Sequence, residues 1–322
     1  MLHVLVKDGW FNIVFIVGFL IVLTSVHLLN YFEHKKIEPI GKIIEINNLK
    51  LHVYALGEKN VNKPTFVILS ALAIPSPTYF YMEFMKEISK YYRVVLVERA
   101  GMGYSKGQSN KDISSILEHT REALKACEEN GPYVLLPHSI GGLEALYWAS
   151  LYPNEIKMIV GLDMLLPIYE LGNDTSDKVN KLFSKLNIHL INIFCLTRFS
   201  FLLENFLPTK LYRKGLSESQ IKQDKYLVHT HFLNYETIKE LKYKKQNAKT
   251  VDECGFPTCP ITLFVSLPNN TYYIGDSWLD KARKLEDIYN NVSVITLNCD
   301  HHVHIHNQAL IVDYLKGIST YF

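Results

Sequence analysis

The chain has 322 residues, 48% of them hydrophobic and 20% charged, with 34 basic side chains against 32 acidic ones. So much apolar surface excludes a disordered chain, and a net charge of +2 argues against nucleic acid as the main partner. The length fits one large domain, with or without an insertion, and the five cysteines at 127, 195, 254, 259 and 299 follow no disulfide-framework spacing.

Residues 1–9 are a short flank. From Trp10 to Phe32 no residue carries a formal charge, and only Asn12, Thr24, Ser25, His27 and Asn30 are clearly polar. As a helix this stretch reaches roughly 35 Å, enough for a hydrocarbon core of about 30 Å. Trp10, Phe11, Tyr31 and Phe32 suit the two interfaces. A long apolar run without a small-x-small cleavage site predicts an uncleaved single-pass transmembrane helix over 10–32. Lys35, Lys36 and Lys42 behind it outnumber Lys7 before it, a count that leans toward a cytoplasmic body.

After residue 40, short β-rich runs alternate with helical patterns, which predicts a mostly parallel sheet covered on both faces. The expected strands are Ile43–Ile46, Lys50–Leu56, Thr65–Leu69, Arg93–Val97, Tyr133–Leu136, Met158–Leu162, Ile261–Val265 and Ser293–Leu297. The first two, around Asn47-Asn48, read as a hairpin. Helical patterns cover Phe80–Tyr91, Ile113–Asn130 and Gly141–Tyr152. From about 167 to 250 the pattern changes to helix-like segments alone: Asp177–Asn187, Ile191–Phe206, Ser217–Tyr226 and Tyr235–Lys245. Helices inserted between two strands of such a sheet form a cap over the C-terminal strand ends, where ligands bind.

One stretch carries chemistry. The apolar run Tyr133–Leu136 leads at once into Pro137-His138-Ser139-Ile140-Gly141-Gly142 and then into a helix. A strand, a sharp turn and a helix in that order lift a serine oxygen clear of the sheet, provided its flanks are small. The N–H of Ile140, free at the helix N-terminus, is suited to stabilising an oxyanion on an attacked carbonyl.

With this motif, and with Glu98-Arg99-Ala100-Gly101-Met102-Gly103-Tyr104-Ser105 ahead of it, the chain resembles the α/β-hydrolase fold family over nearly everything after residue 40. The resemblance implies an α/β-hydrolase domain at 40–322. Its central sheet is mostly parallel with helices on both faces, and a helical cap at about 167–250 is inserted between strands 6 and 7. Gly101-x-Gly103 lacks the third glycine of a dinucleotide fingerprint, so that loop is read as architectural.

The family places its base after the last strand, which here puts it on His301, with His302 and His304 behind. A competing metal site would need His302, His304 and His306 on one face of an extended segment. A loop entering a helix argues against that, and no cofactor or metal is expected. The usual acid position after strand 7 reads Ser266-Leu267-Pro268-Asn269, an asparagine where the family has aspartate. Asp163, after Met158–Leu162, is therefore the first choice of acid, with Asn269 and Asp276 as alternatives. Matching the loop after Thr65–Leu69 puts the second oxyanion N–H at Leu72, with Ala71 next to it.

The expected function is a membrane-anchored serine hydrolase that cleaves a carboxylic ester or a lipid-like acyl substrate through an acyl-enzyme. Two alternatives remain open. One is a catalytically silent scaffold with a binding role, to which Asn269, Pro137 and Ser70-Ala71 point. The other is an aminopeptidase-like peptidase of the same fold.

Overall fold

The computed structural model describes residues 2–34, 37–171, 209–232, 234–267 and 278–318. Eight strands form one sheet: β1 (Lys42–Ile46), β2 (Leu49–Leu56), β3 (Thr65–Leu69), β4 (Val94–Val97), β5 (Tyr133–Pro137), β6 (Ile156–Leu162), β7 (Ile261–Ser266) and β8 (Val292–Leu297). Each lies within three residues of its sequence expectation. The order across the sheet is β1-β2-β4-β3-β5-β6-β7-β8. β1/β2 and β2/β4 run antiparallel, and every other pair is parallel. Asn47, at φ +52, turns the first hairpin, a backbone region that asparagine tolerates better than most residues.

The inner strands β3, β4, β5 and β7 read as nearly unbroken apolar runs because both sheet faces are covered there. Phe66, Ile68, Val134, Leu136, Val160 and Leu162 point to one side, against α2 (Pro77–Ser89) and α11 (Gln308–Gly317). Val67, Leu69, Leu135 and Ile159 point to the other, against α3 (Ile113–Ala126) and α4 (Gly141–Leu151). A helix α9 (Trp278–Ile288) lies between β7 and β8 in sequence, and a short α10 (Val303–His306) precedes α11. Truncating a side chain such as Leu135, fully buried, to alanine costs about 2–5 kcal/mol.

Between β6 and β7 the described elements are helical: α5 (Pro167–Leu171), α6 (Thr209–Tyr212), α7 (Glu218–His231) and α8 (Tyr235–Glu253). Ser217 and Gln220 cap α7 reciprocally, and the Asn234 side chain caps α8 by accepting from the Thr237 N–H. Buried ion pairs fix α8 to the body, Arg99–Glu240 at 3.0 Å and Lys111–Glu236 at 2.9 Å, while Lys244–Glu170 at 2.6 Å ties it to α5. The segments expected as helices at Asp177–Asn187 and Ile191–Phe206 lie outside the described residues.

The helix expected at 10–32 forms as part of α1 (Leu2–His34), but its reading as a membrane anchor is corrected. Among the described residues no helix is long and apolar enough to cross a membrane. This overturns the transmembrane helix, the membrane contact through 10–32 and the single-pass membrane location drawn from them.

Candidate active site

The strand order fixes where chemistry can sit. From β3 the chain moves outward to β4, then crosses back to β5 on the other side of β3. Such a reversal opens a crevice beyond the C-terminal ends of β3 and β5. Leu72 follows β3 and Ser139 follows β5, so both lie at that crevice.

Ser139 is half-buried and holds φ at +52, a strained conformation costing on the order of 1–3 kcal/mol for a residue with a side chain. Its surroundings over-determine that bend. The Ser139 carbonyl accepts from the N–H of Leu165 at 2.6 Å and of Gly142 at 2.9 Å, while the His138 N–H donates to the Leu69 carbonyl at 3.0 Å. A Cβ at Gly141 would collide with the Leu69 carbonyl oxygen, and one at Gly142 with that of Leu165. The two glycines are thus required by close backbone approach to neighbouring strand ends.

Asp163 follows β6, fully buried, at φ +50, with its N–H bound to the Phe264 carbonyl at 2.8 Å. Its carboxylate collects three donors. Oδ1 accepts from the Ser266 N–H at 2.8 Å; Oδ2 accepts from the Ser266 hydroxyl at 2.8 Å and from His301 Nδ1 at 2.6 Å. A carboxylate cannot donate, so the His301 proton sits on Nδ1 and Nε2 is the ring's acceptor nitrogen. The His301 side chain is about a quarter exposed, with the Trp278 ring edge-on at 6.0 Å. It packs 4.9 Å from the ring of His138, the residue before Ser139.

The other histidines serve differently. His302 Nδ1 and His306 Nε2 both bind Asp300, at 3.2 and 3.1 Å. His304 is buried among Phe80, Tyr81, Phe84 and His138, and among the described residues neither of its ring nitrogens has a hydrogen-bond partner. Burial and the neighbouring histidines push its pKa well below the usual range. Because 303–306 is helical, the three alternate histidines do not share a face. Among the described residues no group of three or more His, Cys, Asp or Glu is placed to hold a metal ion.

On the opposite wall, the Ala71 N–H is taken by the Tyr81 hydroxyl at 3.0 Å. Among the described residues no acceptor stands opposite the N–H of Leu72 or of Ile140. Arg99 anchors this loop, donating to the Ser70 carbonyl at 3.0 Å and to Glu144 of α4 at 2.8 Å. Glu98 beside it accepts from the Thr78 N–H and hydroxyl and from the Tyr104 N–H. Burial alone would raise its pKa, yet the His52 ring and these donors hold it below the ordinary carboxylate value. That loop is architectural.

Of the alternative acids, Asn269 and Asp276 lie outside the described residues. Ser266 was missed as a participant. No local sequence signal marks it: it meets Asp163 through the β6/β7 register, in which Leu162 pairs with Phe264.

The model of the α/β hydrolase fold family matches residues 64–243, more than half of the chain. A protein of Bacillus subtilis (strain 168) named YbdG, itself uncharacterized, is 38% identical over 153 residues, a span covering 46% of each chain. In structure the chain is similar to the Bacillus megaterium epoxide hydrolase solved with an inhibitor. That TM-score is 0.63, with 14% identity over 86% of this chain and 99% of that one. It is also similar to a meta-cleavage product hydrolase, CumD, with a TM-score of 0.59 and 14% identity over 88% of this chain and 98% of that one. Family match and sheet order agree, and the chain belongs to the α/β hydrolase fold family.

Proposed function

We propose that the protein is a serine hydrolase acting on an acyl substrate of the carboxylic ester class, with Ser139 as nucleophile, His301 as base and Asp163 as the acid that orients it. The observation that carries this reading is the 2.6 Å hydrogen bond from His301 Nδ1 to Asp163, with the strained Ser139 on the neighbouring turn. His301 Nε2 takes the Ser139 proton as the oxygen attacks the carbonyl carbon. The N–H groups of Leu72 and Ile140 receive the oxyanion, and His301 returns the proton to the leaving alcohol. Water, deprotonated by the same nitrogen, then releases the acid from the acyl-enzyme. The hydrolase unit is assigned to 40–322, with the insert at about 167–250 as its cap.

Two structural relatives are named for different bonds, and the serine separates them chemically. A serine oxygen opening an epoxide would form an ether, which has no carbonyl for water to attack. The same oxygen attacking an acyl carbon forms an ester, which water can cleave. An acyl carbon is therefore the electrophile that suits Ser139.

A fluorophosphonate probe, followed by mass spectrometry of the modified peptide, tests the reading. Wild type should be labelled on Ser139, and Ser139→Ala should neither label nor hydrolyse p-nitrophenyl acetate. No labelling of the folded wild type would refute the enzymatic reading in favour of a silent scaffold.

A further inference from the structure

Behind the candidate site runs a buried chain of hydrogen bonds that joins three separate loops. The Ala71 N–H, in the loop after β3, donates to the Tyr81 hydroxyl at 3.0 Å. That hydroxyl lies 2.8 Å from Nδ1 of His138, in the turn after β5. Nε2 of His138 lies 3.1 Å from the carbonyl oxygen of His301, in the loop after β8.

Its polarity is forced by its two ends. A backbone N–H only donates and a carbonyl only accepts. Nε2 of His138 therefore carries a proton, and Tyr81, already accepting from Ala71, donates to Nδ1. His138 is the neutral Nε2–H tautomer. Its full burial, with His304, His301 and His302 around it, disfavours a second proton and holds its pKa well below the usual value. Tyr81 is also fully buried, and burial keeps its phenol protonated. The pair is packed tightly: His138 lies 4.8 Å from His304 and nearly parallel to Phe80 at 6.2 Å.

These loops hold the three groups that the proposed reaction must align. Ala71 precedes the Leu72 N–H, His138 precedes Ser139, and the His301 carbonyl belongs to the proposed base. We infer that Tyr81 and His138 are positioning residues that hold the oxyanion donor, the nucleophile and the base at reacting distance through this Ala71–Tyr81–His138–His301 chain. The inference rests on the serine hydrolase reading above.

The test compares Tyr81→Phe, His138→Leu and His138→Gln with wild type for kcat and KM on p-nitrophenyl acetate, fluorophosphonate labelling rate and Tm. Tyr81→Phe removes one oxygen from the chain. It should lower kcat and the labelling rate by roughly 10- to 100-fold, the scale of an ångström-level misplacement, and leave KM within about twofold. His138→Leu should lose at least as much. His138→Gln presents an acceptor and a donor on one planar amide and should recover roughly tenfold over leucine.

Wild-type kcat in both Tyr81→Phe and His138→Leu, or a loss confined to Tm, would overturn the inference while leaving Ser139 as nucleophile. Should His138→Leu fail to fold, Tyr81→Phe decides by itself. Absence of Ser139 labelling in wild type would instead sink the parent reading, and this inference with it.

Discussion

Asp163→Asn is the substitution that separates orientation of the proposed base from mere packing. The Ser266 N–H donates to Oδ1 at 2.8 Å and has no other option, so the asparagine carbonyl must take that position. The amide NH2 then replaces Oδ2, facing the Ser266 hydroxyl and His301 Nδ1. The hydroxyl can rotate and accept. The imidazole cannot keep its Nδ1 proton against another donor, so it switches to the Nε2–H tautomer and loses the lone pair that would deprotonate Ser139. The backbone does not object, because asparagine tolerates the φ of +50 about as well as aspartate. In a serine protease with the same three roles this exchange lowers kcat about 10⁴-fold, equivalent to about 5.4 kcal/mol of transition-state stabilisation. The expectation here is a kcat loss of roughly 10³- to 10⁴-fold, with folding stability changed by less than about 1 kcal/mol. Burst kinetics on p-nitrophenyl acetate and urea denaturation measure the two quantities. A kcat within tenfold of wild type in a folded Asp163→Asn protein would refute the assignment.

Gly141→Ala puts a methyl group onto the Leu69 carbonyl, a backbone atom that cannot swing away, and should cost about 1–3 kcal/mol. Gly317→Ala meets nothing within 4 Å and should leave the urea midpoint unchanged or slightly raised, which serves as the control. Lys111→Met strands the Glu236 carboxylate, whose partner lies 2.9 Å away and almost out of solvent, at a cost of about 3–5 kcal/mol. The double variant with Glu236→Leu should recover most of this loss. A single-variant cost near zero by denaturant titration contradicts the argument. His138 and His304 are both held neutral by burial in the folded protein, whereas an unfolded chain protonates them near pH 6.5. The unfolded state therefore gains up to two protons as pH falls below that value, and stability should drop by as much as about 2.7 kcal/mol per pH unit. Above pH 7.5 this contribution is constant. A urea midpoint that stays level from pH 8 to pH 5 would contradict it.

The local chemistry of the chain was enough to mark all eight strands: β3, β4, β5 and β7 by nearly unbroken apolar runs, as strands covered on both faces need, and β1 and β2 by β-rich runs around a hairpin turn. It also marked the turn at Ser139, because only glycines at 141 and 142 let that turn approach two neighbouring strand ends. The membrane reading of 10–32 failed, since among the described residues no helix is long and apolar enough to cross a membrane. What no local signal could hold is the meeting of Asp163 with His301, 138 residues further on. That contact exists because β6, β7 and β8 are sheet neighbours, which brings the loops that follow them to one edge. Ser266 joins Asp163 for the same reason, and His138 likewise meets partners from α2 and from the loop after β8. Residue type selects which groups are able to react or to hold a proton. Which of them touch is decided by strand order, because a hydrogen bond acts over about 3 Å while the sequence separates these partners by 57 to 163 residues.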